Sequence, residues 1–107
     1  MNDFYSQVYE IVRLIPEGRF TSYGAIAKAL GASNSSRLVG IAMNHSHTIV
    51  PLVPAHRVVN RNGLLTGKHR FTSKESMQDL IEAEGIEVIA DQIRNYNLIF
   101  WDPLREL

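Results

Sequence analysis

The first apolar positions of the chain, Phe4, Val8, Ile11, Val12 and Ile15, recur at spacings of three and four. That period predicts an amphipathic helix, with Asn2 or Asp3 as its cap. Pro16-Glu17-Gly18 ends it, and Arg19-Phe20 forms a short extended link. Thr21 and Ser22 offer a second cap, after which Tyr23–Leu30 reads as a helix stopped by Gly31. Ala32-Ser33-Asn34-Ser35 is a turn, and a third helix runs from about Ser36 to Asn44 with Leu38, Val39 and Ala42 on one side. Two short helices joined by a turn that contains glycine form a helix-turn-helix pattern.

Beyond Asn44 the periodicity breaks up. Pro51 and Pro54 predict a largely irregular stretch over 48–56. Val58-Val59 and Leu64-Leu65 flank Asn60-Arg61-Asn62-Gly63, which reads as two extended pieces around a turn, a candidate wing. Thr72 or Ser73 is expected to cap a last strong helix reaching about Glu84, with Gly85 ending it. The apolar pieces Ile86–Ile89 and Leu98–Trp101 are expected to pack back as strands. The predicted fold is mainly α with a few short β-strands, a winged helix-turn-helix in a single domain over residues 1–107.

Composition narrows the classes of function. A chain of 107 residues with 45% hydrophobic and 21% charged residues is ordinary for a small globular domain. No apolar run approaches the roughly 18 residues of a membrane span, and no membrane partner is expected. Met-Asn-Asp-Phe-Tyr lacks a basic and apolar leader, so the expected location is the cytoplasm, on the nucleoid in a bacterium, or the nucleus in a eukaryote. With no cysteine there are no disulfides or thiolate metal sites, and His45, His47, His56 and His69 follow no metal-site spacing. No metal or other cofactor is expected.

Net charge is zero, which by itself argues against a nucleic-acid partner. Its distribution argues the other way. Residues 18–74 hold eight cations and no acid, whereas residues 75–107 carry eight acids against Arg94 and Arg105. A solvated surface and a phosphate-binding surface both fit such a run. Its coincidence with the helix-turn-helix favours a DNA-binding domain.

Residues 51–60 read Pro-Leu-Val-Pro-Ala-His-Arg-Val-Val-Asn. Thr21-Ser22-Tyr23-Gly24, Ser36-Arg37-Leu38-Val39-Gly40 and Glu84-Gly85 stand around this segment in order. Together they closely resemble the O6-alkylguanine-DNA alkyltransferases, from about residue 4 to residue 89. In that family the residue after the second proline is the cysteine that takes the alkyl group from damaged guanine. Here it is Ala55, and a methyl group has no lone pair with which to act as a nucleophile. The resemblance therefore points to the alkyltransferase-like proteins, many of which carry tryptophan there. It implies no catalytic residue, and somewhat more room above Ala55 for an O6-alkyl group.

The resemblance also implies roles for individual residues. Tyr23, Ser35, Ser36, Arg37, Gly40 and Asn44 would meet DNA, with the third helix in the minor groove. Arg37 would fill the gap left by an extruded base, a task that suits a planar guanidinium. A lesion pocket would be made by Tyr23, Val53, Pro54, Ala55, Val58, Lys68 and Arg70. His56, Arg57, Asn60 and Glu84 would persist as a structural network with no thiol to activate. Each has a plainer alternative: Arg37 as a surface arginine, Tyr23 as a core aromatic, Lys68 as a solvated wing lysine. His47 departs from the family's usual asparagine.

The implied function is a non-enzymatic sensor, expected to be a monomer. It would bind double-stranded DNA containing O6-alkylguanine, flip the base, and flag it for nucleotide excision repair proteins. Two other readings stand beside it. One is an alkyltransferase inactivated by an engineered Cys→Ala replacement. The other is a winged-helix regulator without lesion preference, since a fold does not carry function with it.

Overall fold

The computed structural model describes residues 3–71 and 76–107. Helix α1, Asp3–Leu14, buries Val8, Tyr9, Ile11 and Val12. Asp3 lies in its first turn, where a carboxylate complements the helix dipole. A two-residue strand β1, Thr21–Ser22, leads directly into α2, Tyr23–Ala29. Ser22 serves both: it ends the strand, and its Oγ accepts from Ala25 N at 3.1 Å as the cap of α2. Gly31, at φ 72°, then turns the chain, a left-handed conformation in which glycine carries no Cβ penalty. Helix α3, Ser36–Asn44, follows and packs on α2, giving the expected helix-turn-helix.

The wing takes a different form from the expected hairpin. Strand β2, Val58–Val59, does not pair with Leu64-Leu65; it runs parallel to β1, with Thr21 opposite Val58 and Ser22 opposite Val59. The Asn60 side chain closes the following turn, its Oδ1 accepting from Asn62 N and Leu64 N. A local Asn bond of this kind competes with ladder formation and here replaces it. Leu64 instead bridges to Gln92 in the antiparallel hairpin of β3, Val88–Ile89, and β4, Gln92–Ile93.

Helix α4, Met77–Glu82, is capped by Ser76 and Asp79 in a reciprocal capping box. The expected caps Thr72 and Ser73 lie outside the described residues. Of the two expected C-terminal strands, Val88-Ile89 is one, but Leu98-Ile99 is not. It belongs to a single helical turn α5, Tyr96–Ile99, which leaves Leu98 80% exposed. Phe100 then bridges to Phe20, and α6, Pro103–Glu106, closes the chain with Asp102 as cap.

Two apolar clusters meet across the β1–β2 pair. One gathers Val8, Tyr9, Val12, Ile26, Val39 and Trp101 around α1 to α3. The other gathers Phe20, Val59, Leu65, Met77, Ile81 and Tyr96 around α4 and α5. Phe71 packs against both. The Tyr9 hydroxyl donates to Ala42 O at 2.7 Å and thereby ties α1 to the last turn of α3.

Candidate nucleic-acid interface

Helix α3 buries Val39, Ala42 and Met43 and leaves Ser36, Arg37 and Asn44 on its outer face. Above that face is an open groove of about 370 Å³, lined by Tyr23, Arg37, Gly40, Asn44, Thr66 and Arg70 among others. Ser35 stands at the cap position of α3 but its side chain makes no capping bond. Gly40 is informative because the fold does not require it. A Cβ there would meet no heavy atom within 4 Å, while a glycine in a helix costs about 1 kcal/mol relative to alanine. The missing side chain lowers the outer surface and serves no internal contact.

Tyr23 opens α2 and carries its hydroxyl into this groove. Arg70, at the end of the short 3-10 turn Lys68–Arg70, donates from Nη1 to Tyr23 Oη at 3.4 Å. Gly67 lets the three approach, since a Cβ there would stand 2.9 Å from Tyr23 Oη and 3.0 Å from Arg70 Nη1.

A second, larger cavity of about 820 Å³ lies over Ala55 and is lined largely by apolar groups, including Leu52, Val53, Pro54, Phe71 and Leu80. Ala55 opens a 3-10 turn, Ala55–Arg57, that leads straight into β2. The parallel pairing of β1 and β2 sets the Ala55 turn beside the link that precedes β1, where Arg57 reaches Ile15 O, and leaves the start of α2 at the other end of the pair. His47 stands at the cavity edge, its ring 4.8 Å from Phe71 and nearly perpendicular to it. Burial, helped by the charge of Arg70, pushes the His47 imidazole below its ordinary value, so it is neutral near pH 7.

Behind Ala55, Glu84 collects three partners. His56 Nε2 donates to its Oε2, Arg57 Nε donates to the same oxygen at 2.9 Å, and Gly18 N donates to Oε1 at 2.6 Å. Arg57 Nη1 reaches on to Ile15 O at 2.9 Å. Burial alone would raise the Glu84 carboxyl, but these bonds from Gly18, His56 and Arg57 outweigh it and hold the group below the usual carboxylate range. The Ala55 side chain offers no nucleophile at that position, and the sequence contains no cysteine. Among the described residues no group of three His, Asp or Glu side chains is placed to hold a metal.

Several sequence expectations for the site are changed by the structure. Tyr23 lines the groove over α3, whereas the cavity over Ala55 is walled by Leu52, Phe71 and Leu80. Val58 is 1% exposed in the core and paired in β2, so it supports the cavity from behind. Lys68 points away to an exposed ion pair with Asp91, leaving Arg70 as the cation at the groove. Asn60 stands apart from the Glu84 network because its side chain is used in its own turn. Leu52, Thr66 and Phe71 were not legible as site residues, since each lies where no periodic pattern marks a face; Leu80 belongs to the expected last helix, where nothing local separates a cavity wall from core packing.

The family described as 6-O-methylguanine DNA methyltransferase, DNA binding domain, matches residues 3–86. Alkyltransferase-like protein 1 of Schizosaccharomyces pombe is 35% identical over 107 residues, covering 96% of this chain and 98% of that protein. The methylated-DNA–protein-cysteine methyltransferase of Methanosarcina acetivorans is 43% identical over 65 residues. Those residues are 61% of this chain and 41% of the archaeal enzyme, so the chain matches less than half the length of such a methyltransferase. The crystal structure of S. pombe Atl1 in complex with damaged DNA containing O6-carboxymethylguanine has a TM-score of 0.77 at 33% identity, covering 94% of this chain and 96% of that one. Mycobacterium tuberculosis OGT in complex with DNA has a TM-score of 0.65 at 36% identity, covering 78% of this chain and 50% of that one. Since the family match takes in both the helix-turn-helix and the Ala55 turn, the chain belongs to the family of the 6-O-methylguanine DNA methyltransferase DNA-binding domain.

Proposed function

We propose that this protein is a non-enzymatic sensor of O6-alkylguanine in duplex DNA. The observation that carries the reading is Ala55, set at a largely apolar cavity with the His56–Arg57–Glu84 network intact behind it and no thiol anywhere in the chain. The shape needed to hold a base is retained, and the atom needed to accept an alkyl group is absent. The similarity to S. pombe Atl1, solved with DNA containing O6-carboxymethylguanine, supports the choice of ligand.

In this reading α3 lies along the minor groove, where the bare surface at Gly40 lets the helix come close. Minor-groove edges discriminate poorly among sequences, which suits a protein that must work in any context. Arg37 enters the base stack, and Tyr23 helps turn the damaged nucleotide outward. Extrusion costs a few kcal/mol, and less for a badly paired base, so alkylated guanine is selected partly by its weak pairing. The base then rests over Ala55 against Phe71 and Leu80. No bond forms or breaks, so the complex persists and marks the site for nucleotide excision repair proteins.

The test is an equilibrium titration at fixed salt against two matched duplexes, one with a single O6-methylguanine and one with guanine. The expected result is at least tenfold tighter binding to the modified duplex, with the methyl group still on the DNA afterwards. Equal affinity for both would overturn the sensor, and recovery of unmodified guanine would show an enzyme.

A further inference from the structure

We propose that Arg70 is a phosphate-binding, positioning residue: together with the Tyr23 hydroxyl it grips the phosphodiester beside the nucleotide that leaves the duplex. The inference rests on the sensor reading above and concerns how that site holds its DNA.

The starting observation is a guanidinium without a counter-charge. Arg70 is half-buried, and among the described residues its Nε is buried with no hydrogen-bond partner and its Nη1 reaches only the Tyr23 hydroxyl. Lys68, two residues before it, is paired with Asp91, and Arg57 with Glu84. Among the described residues no carboxylate pairs with Arg70, and the groove contains a second unpaired guanidinium, Arg37, with the neutral groups Ser36, Asn44 and Thr66. A buried charged donor left unsatisfied is costly, so the groove is incomplete as it stands.

A phosphate would supply the missing counter-charge from the groove side, without needing to reach the buried Nε. The guanidinium fork matches a phosphate in bidentate fashion, and a phenol hydroxyl can donate one more bond to the same group. A base edge can accept from the fork but carries no charge to balance it. Position agrees with chemistry. Arg70 lines the groove over α3, and its field also reaches His47 at the edge of the Ala55 cavity. Phe71, the next residue along the chain, walls the Ala55 cavity, so Arg70 lies on the side of the groove nearest that cavity in sequence.

The experiment compares the wild type with R70Q, R70K and K68Q in titrations of the O6-methylguanine duplex at several salt concentrations. Gln keeps a donor toward Tyr23, and thermal melting checks that each variant folds. R70Q should bind about tenfold more weakly and lower the slope of log affinity against log salt by about 0.9, the loss of one neutralised phosphate. R70K should restore the slope, and K68Q should change little. Replacing each phosphate flanking the lesion in turn by a neutral methylphosphonate should, at one position, weaken the wild type as much as R70Q does and weaken R70Q no further. An unchanged slope in R70Q, or equal losses for both proteins at each methylphosphonate, would overturn the proposal. If the wild type fails to prefer O6-methylguanine but R70Q still loses slope, the sensor reading falls and the phosphate contact stands.

Discussion

Gly40 makes the separation between stability and binding measurable at one position. It sits in the middle of α3 with free space where a Cβ would be. Gly40→Ala should therefore raise the stability of the free protein by about 0.5–1 kcal/mol, read as a higher urea midpoint. The same methyl group should weaken binding to the lesion duplex, because it stands between helix and DNA. An alanine variant that binds as well as the wild type would remove the close-approach argument. Arg37→Ala and Tyr23→Ala should each weaken lesion binding by about tenfold or more, with melting temperatures nearly unchanged, because Arg37 is exposed and Tyr23 only half-buried. At this scale the Ala55 motif and the exposed placement of Arg37 on α3 were legible in the sequence. That Lys68 turns away from the groove while Arg70 lines it was not, because it depends on Asp91, a residue 23 positions from Lys68.

Among the elements, the helix-turn-helix was legible because Ser22, Gly31 and the apolar positions of α3 each carry a local signal that the fold keeps. The parallel β1–β2 pair was not, since two residues of strand have no period and their partner is more than thirty positions away. The apolar run Leu98–Trp101 looked like a strand, yet it splits between a helical turn and an extended link, with Tyr96 and Trp101 buried while Leu98 faces solvent. Tyr9 was missed as well, although its hydroxyl joins α1 to α3. Tyr9→Phe removes that bond and little else, so it should cost about 1 kcal/mol of unfolding free energy in urea titrations. A loss near zero would mean that α1 is held by apolar packing alone.

For the whole molecule, the neutral net charge is resolved by pairing in three dimensions. Acids of the C-terminal third cover Arg19, Arg57 and Lys68 of the basic segment, through Glu106, Glu84 and Asp91. Lys28, Arg37, Arg61 and Arg70 have no carboxylate partner among the described residues, and two of them face the groove. The salt dependence of DNA binding should accordingly correspond to about two to four neutralised phosphates, well short of the eight cations in the basic segment. The acid limb of stability has its own marker in Glu84. Its carboxyl lies below its ordinary value of 4.5 when folded, so its contribution is fully present above that pH and is lost as pH falls through the folded value. Glu84→Gln should flatten the wild type's loss of melting temperature below about pH 4.5, whereas parallel pH profiles would assign that loss to other carboxylates.

The alanine at the cavity also sets a clock. A thiol in that place would be consumed by a single encounter, and each molecule would count once. In the proposed sensor, Ala55 would leave the protein unchanged by what it holds, so one copy could visit many lesions and the duration of each visit would be its output. With an association rate of about 10⁷ M⁻¹s⁻¹ and a dissociation constant of about 10 nM, the dwell time is about 10 s. Changes in the cavity wall at Phe71 or Leu80 would then act as timing mutations, altering how long a lesion stays marked while leaving the rate of its discovery nearly untouched.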